Sequence, residues 1–178
     1  MIPITIQNKK HKIKSIAELT TKEFIDMSTV EDMDYVKYIA WQTGETFEKA
    51  FFAVTSKTVE QAIGKAPDIT KLPVAKWFDK TKVIDTVGQR QQVEASGLDG
   101  YKLLVYCLAV SQARSLNSDD VQALIDKYNE MSFIEILPSG FFFYKNFKCG
   151  KEKGVNFSGL LQGLMKIRKS RRRLALKD

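Results

Sequence analysis

Charge is distributed along this chain in a way that limits which parts of it can be buried. Residues 145–178 carry 11 basic and 2 acidic side chains, a net of +9. Residues 1–144 carry the remaining 17 basic and 19 acidic side chains, a net of −2. Unpaired charge is costly to take out of water. The sequence therefore divides into a nearly neutral body, able to close around a core, and a cationic C-terminal arm. Such an arm implies an anionic partner: nucleic acid, an acidic protein surface or lipid headgroups.

The body is large enough to fold. A chain of 178 residues fits one domain or two small ones. At this size folding hides roughly 70% of the unfolded surface. A hydrophobic content of 44%, with 11% aromatics, argues against global disorder. The N-terminus lacks the cationic start and apolar run of a secretory signal. The longest apolar run, Leu103 to Val110, is eight residues, against about 20 for a membrane span. A soluble protein of a cytoplasm is expected. Cys107 and Cys149 match no metal or redox spacing.

The periodicities predict an α+β fold, mostly helical. An N-terminal β-hairpin packs on a helix, a helical main body follows, and a basic helix ends the chain. Ile2, Ile4 and Ile6 alternate with other residues, Asn8-Lys9-Lys10 supplies turn chemistry, and a second strand follows. Thr20-Thr21-Lys22-Glu23 is a capping box, with Leu19 and Phe24 placed as a hydrophobic staple. It predicts a helix from Thr21. Ser28-Thr29-Val30-Glu31 repeats the pattern and predicts a helix over 29–42, ended by Gly44. Residues 45–54 form a third helix with Phe47, Ala50, Phe51 and Val54 as its apolar face. Thr58 with Gln61 suggests a short helix closed by Gly64. Two prolines in 65–74 mark a boundary. Residues 82–95 read as a hairpin or extended arm. Asp99 caps a helix to Ser115, apolar all round and hence central in a core or in an interface. Asn117 starts another. Ser132-Phe133-Ile134-Glu135 opens a short helix stopped by Pro138, and a last helix runs from Ser158 to Leu176. Three parts result: 1–66, 72–148 and the arm 149–178.

Catalytic constellations are hard to assemble. The one histidine, His11, stands between Lys10 and Lys12 with no carboxylate nearby in sequence to orient it. It reads as an exposed polar residue on a strand edge. Two scattered cysteines and one histidine do not supply a zinc site. Phosphate-binding glycine motifs are missing, and Gly150-Lys151-Glu152-Lys153-Gly154 reads as a solvated turn. The pairs Asp32/Asp34 and Asp119/Asp120 fall in predicted first helical turns, where the macrodipole favours negative charge. No enzyme, metal or cofactor is expected. A hydrolase using His11 or the aspartate pairs is the weakest reading.

Two surfaces suit binding. Phe141, Phe142, Phe143 and Tyr144 form a dense aromatic run suited to an interface, and with Lys145 and Lys148 to base stacking. The last predicted helix carries a stripe of Leu160, Leu161, Leu164 and Ile167. Lys166, Arg168, Lys169, Arg171, Arg172 and Arg173 then cluster, and an anionic partner relieves their mutual repulsion. Leu160 and Leu164 read as protein interface and the six cations as the anion-binding set. The arm lacks tryptophan and its apolar stripe is short, so membrane binding is not expected.

Two stretches resemble proteins of the tail-gene region of tailed bacteriophages. One is Ile4-Thr5-Ile6, then Lys12-Ile13-Lys14-Ser15-Ile16-Ala17-Glu18-Leu19-Thr20. The other is Val83-Ile84-Asp85-Thr86-Val87-Gly88-Gln89, followed by Met131-Ser132-Phe133-Ile134-Glu135-Ile136-Leu137-Pro138-Ser139-Gly140-Phe141-Phe142-Phe143. The order is similar to small tail-assembly or baseplate-hub proteins, over about half of the chain in pieces. The resemblance implies a non-enzymatic protein that docks to other virion or assembly components, or to itself, in the virion or host cytoplasm. The aromatic run and the helix over 101–113 would supply apolar interface. The alternative is a nucleic-acid-binding accessory protein acting through its arm.

Overall fold

A computed structural model describes residues 1–63, 68, 71–78 and 87–146. Among them are a two-stranded antiparallel hairpin and eight α-helices, an α+β and mostly helical architecture as expected. The described residues fall into two compact units. Met1–Leu19 and residues 26–63 belong to the first. Thr20–Ile25 and the described residues from 68 onward belong to the second. Residues 20–25 thus lie inside the stretch read as one part over 1–66, yet pack with the second unit.

In the first unit, β1 (Ile2–Ile6) pairs with β2 (Lys9–Ile13), with Ile6 opposite Lys9 and Ile2 opposite Ile13. The connecting residues, Gln7 at φ +47° and Asn8 at φ +68°, are both left-handed. A type I′ turn needs that conformation twice, and its twist matches the strands. Alternation then buries Ile4, Ile6 and Ile13 on one face. A 3-10 turn follows at Ile16–Glu18. Its Glu18 carboxylate accepts from the Ser15 amide at 2.8 Å.

The next helix differs from expectation. Ser28 does not open it but is the last residue of α1 (Thr21–Ser28). Asp32 adopts φ +48°, which a right-handed helix excludes. The chain turns there, and α2 (Tyr35–Thr43) begins at Asp34, whose carboxylate accepts from the Lys37 amide at 2.8 Å. Gly44, at φ +69°, ends it as predicted. On α2, the Tyr38 hydroxyl donates to the Lys14 carbonyl at 2.8 Å, tying the helix to the end of β2. α3 (Phe47–Ala53) and α4 (Ser56–Ile63) pack on β1. Thr55 caps α4, its hydroxyl accepting from the Thr58 amide at 3.2 Å. Ile4, Ile6, Ile13, Ile16, Leu19, Val36, Tyr38, Ile39, Ala50 and Val59 form the buried core of this unit.

The second unit begins with the capping box the sequence announces. The Thr20 hydroxyl accepts from the Glu23 amide at 3.2 Å, and the Glu23 carboxylate accepts from the Thr20 amide at 2.8 Å. Thr21 then donates from both its amide and its hydroxyl to the Met131 carbonyl, at 2.8 and 3.0 Å. Phe24 is carried inward, stacked on Phe133 and edge-on to Tyr101.

Residues 87–95, expected as strand or arm, form helix α5 (Val87–Ala95). Its body is Gln89-Arg90-Gln91-Gln92-Val93-Glu94-Ala95, mostly good helix formers, with Val93 buried. Of the β-branched residues that favour strand, Val87 and Val93 lie in this helix, and Val83, Ile84 and Thr86 lie outside the described residues. α6 (Gly100–Gln112) is the axis of the unit, packed on α5, α7 (Ser118–Glu130) and α8 (Phe133–Asn146). Tyr101, Leu104, Val105, Cys107, Leu108, Ala109 and Val110 are all buried. Of the two roles open to an all-round apolar helix, this one takes the core. The interface role read for 101–113 is corrected accordingly.

Pro138 does not stop α8, contrary to expectation. Proline lacks an amide for the ladder and crowds the preceding turn, a cost of about 3 kcal/mol in a helix interior. Burial on both sides outweighs it. Phe133, Ile136 and Leu137 before the proline and Phe143 after it are all inside. The Ser139 hydroxyl donates to the Glu135 carbonyl at 2.8 Å beside the break and accepts from the Ala75 amide at 3.2 Å. Gly140 marks the close approach of α8 to α6. A Cβ there would stand 2.5 Å from the Leu104 carbonyl oxygen.

Burial in this unit has a consequence at high pH. It pushes the hydroxyls of Tyr101 and Tyr128 up to about 12, from an ordinary value near 10. Between those values the native state keeps protons that the unfolded chain has released, so stability falls as pH rises through the window. Urea midpoints taken from pH 9 to 12 should drop. The drop should shrink in Tyr101→Phe and again in Tyr101→Phe/Tyr128→Phe. An equal drop in all three proteins would place the alkaline sensitivity elsewhere.

Candidate docking surface

The clearest departure from a water-compatible surface is on α3. Helical geometry sets successive residues roughly 100° apart. Ala50 is fully buried, and its single methyl lets the helix lie close on β1. That orientation leaves Phe47 and Phe51 flanking the contact and sends Phe52 to the far side. They are 42%, 53% and 87% exposed. The apolar face expected from the sequence is Phe47, Ala50, Phe51 and Val54. The structure keeps only Ala50 of that stripe fully inside. The rings are close enough to form one patch. Phe47 and Phe51 have centroids 6.3 Å apart, and Phe51 meets Phe52 edge-on at 5.6 Å.

An ion cluster fixes the start of α3. Glu45 precedes its Thr46 cap and is largely covered. Its carboxylate accepts from Lys49 Nζ at 3.2 Å and lies 3.8 Å from Lys9 Nζ and 3.7 Å from His11 Nε2. The Lys49 hydrogen bond, with the positive charges of Lys49 and Lys9, holds this carboxyl below the usual carboxylate range. His11 is therefore not the exposed edge residue expected. It is mostly covered, and a carboxylate does face it. Glu45 lies too far along the chain for local spacing to have paired the two. With two lysines on the same carboxylate, the group reads as a clamp between hairpin and helix.

Three of the four paired aspartates stand at helix starts, and Asp32 lies in the left-handed turn before α2. Asp34 caps α2, and Asp119 and Asp120 stand in the first turn of α7, where the Asn117 side chain accepts from the Asp120 amide at 2.7 Å. Among the described residues, no group of three or more His, Cys, Asp or Glu side chains is placed to share a metal ion.

The aromatic run divides. Phe143 is buried, edge-on to Phe78 at 4.4 Å, and belongs to the core of the second unit rather than to an open interface. Phe141, Phe142 and Tyr144 are half-buried. Leu160, Leu164, Lys166, Arg168, Lys169, Arg171, Arg172 and Arg173 lie outside the described residues, as does the expected basic helix. Compared with known protein families, curated proteins and solved structures, the chain matches none. Among the described residues no helix is long and apolar enough to cross a membrane. The α3 patch is what sequence reasoning missed. Phe47, Phe51 and Phe52 were visible as three phenylalanines on two sides of one helix, more than a single buried stripe can hold.

Proposed function

We propose that this chain is a non-enzymatic docking protein of a tailed-phage particle, acting in tail or baseplate assembly. The observation that carries the docking part is the α3 face. Solvent-exposed aromatic clusters mark interaction sites, because aromatic side chains dominate binding when they are desolvated. The phage context rests on the resemblance of the hairpin stretch and of the Met131–Phe143 stretch to tail-region proteins. Binding should be measured between the purified chain and the products of the genes that flank its own. A complex lost in Phe51→Glu/Phe52→Glu is expected. Undiminished binding by that variant would remove α3 from the account.

The charge segregation favours a second reading, nucleic-acid binding through the arm. On duplex DNA the log–log salt slope should then approach −0.9 for each phosphate contacted. Neutralising Lys166, Arg168, Lys169, Arg171, Arg172 and Arg173 together should abolish the binding. A salt-insensitive interaction would speak for the protein partner instead.

A further inference from the structure

We propose that the Asp99–Gly100 step is a site of spontaneous aspartate isomerisation, through which the chain alters its own backbone at the start of α6. A backbone amide can attack the carboxyl carbon of the aspartate before it, and a side chain on the attacking residue hinders the approach. Glycine has none. Of the ten glycines in the chain, only Gly100 follows an aspartate or an asparagine. The fold leaves this step open. Asp99 is exposed and stands at the cap position of α6, yet its carboxylate makes no capping hydrogen bond. At Asp34 and Asn117, by contrast, the side chain is tied to an amide of its helix at 2.8 and 2.7 Å. Gly100 is the first residue of α6, so its amide has no acceptor within the helix. Gly100 lies at φ +52°, and a Cβ built on it would stand in open space among the described residues. The ring has room to form. Asp99 must turn from its extended ψ of 176° for the ring to close, and neither a cap bond nor a helix bond on the Gly100 amide resists that turn.

The Gly100 nitrogen bonds to Cγ of the protonated Asp99 carboxyl and gives up its proton. The carboxyl hydroxyl leaves with that proton as water, and a cyclic succinimide remains. Water then opens the ring at either carbonyl. Opening at Cγ restores the original chain. Opening at the α-carbonyl leaves the main chain running through Cβ and Cγ, longer by one methylene, with a free α-carboxylate as the new side group. The Asp99 carbonyl accepts from the Leu103 amide at 3.1 Å. The β-linkage takes that carbonyl out of the main chain, next to the buried Tyr101 and Leu104. The first turn of the central helix of this unit is thereby loosened.

Ageing the full chain at physiological temperature and mildly acidic pH tests this. Trypsin cuts after Arg90 and Lys102, and the peptide between them holds Asp99 as its only aspartate. After ageing, that peptide should also appear as an isomer of equal mass that endoproteinase Asp-N no longer cuts, and as a minor form lighter by one water. The isomer should build up in the folded chain at a rate within roughly tenfold of that in the free peptide 91–102, and faster than at any other aspartate. Asp99→Ser, which can still cap α6, should age without either form. In a Trp41→Phe background, Trp77 emission should show a fraction of the aged chain unfolding at lower urea, and aged Asp99→Ser should lack it. Isomerisation mainly at other aspartates, or protection of Asp99 beyond roughly tenfold relative to the free peptide, would overturn the proposal. An isomerised chain that resists urea as the fresh one does would overturn the loosening of α6.

Discussion

Phe24→Ala should cost the second unit about 4 kcal/mol. Phe24 is 1% exposed. Its ring lies parallel to that of Phe133, with centroids 4.1 Å apart and planes 9° from parallel, and Tyr101 meets it edge-on at 5.1 Å. Truncation removes the transfer energy of a whole ring and leaves a cavity lined by two other rings on separate helices. Those helices are held in place by α6 and α8 packing, so collapse into the gap is limited. The measurement can be confined to the right unit, since each unit holds one of the two tryptophans, Trp41 in the first and Trp77 in the second. Urea unfolding followed by Trp77 emission in a Trp41→Phe background should show the loss. Phe24→Leu, which keeps most of the volume, should lose less than half as much. A loss below about 1.5 kcal/mol for Phe24→Ala would mean that the stack is not a packed core.

What made the hairpin and α1 legible is that their signals are local. Alternating isoleucines, Asn8 at a left-handed position and the reciprocal Thr20–Glu23 pair all act within a few residues, and no tertiary contact opposes them. The same motif failed at Ser28. There the competing signal was Asp34, a better cap three residues before Lys37, with Asp32 free to turn left-handed. Pro138 misled because a local rule was applied against a longer pattern. Phe133, Ile136, Leu137, Gly140 and Phe143 keep helical spacing straight through the proline, and that stripe, not the single residue, decided where α8 ends. On α3 the composition was read correctly and the direction wrongly. Periodicity identifies an apolar face but does not say which of two faces meets the sheet. Close packing on β1 selected Ala50, and the phenylalanines were left outside. The clamp from Glu45 to His11 was out of reach for a different reason, since its partners are joined only by the fold.

Gly140→Ala and Gly88→Ala form a pair whose signs should differ. Both glycines lie within helices, where alanine is intrinsically favoured by up to about 1 kcal/mol. At Gly88 an added Cβ meets, among the described residues, only the Leu116 side chain, at an ordinary 3.5 Å. Gly88→Ala should therefore stabilise by roughly 0.5–1 kcal/mol. At Gly140 the same methyl falls 2.5 Å from the Leu104 carbonyl oxygen and 2.9 Å from its carbon. Those are backbone atoms within α6, and α6 is walled in by α5 and α7 on its other sides. The clash can be relieved only by moving α8 away from α6, which loosens contacts along the whole of the largest helix pair in the unit. Packing of this kind is steep in distance, and a gap of 0.5–1 Å already forfeits a quarter to a half of each contact. Overpacking should outweigh the propensity gain, for a net loss of about 2 kcal/mol or more. Urea midpoints for the two variants should then fall on opposite sides of the wild type. If both variants gained stability, α6 and α8 would be farther apart than this packing requires, and the burial that carries the chain through Pro138 would lose its explanation.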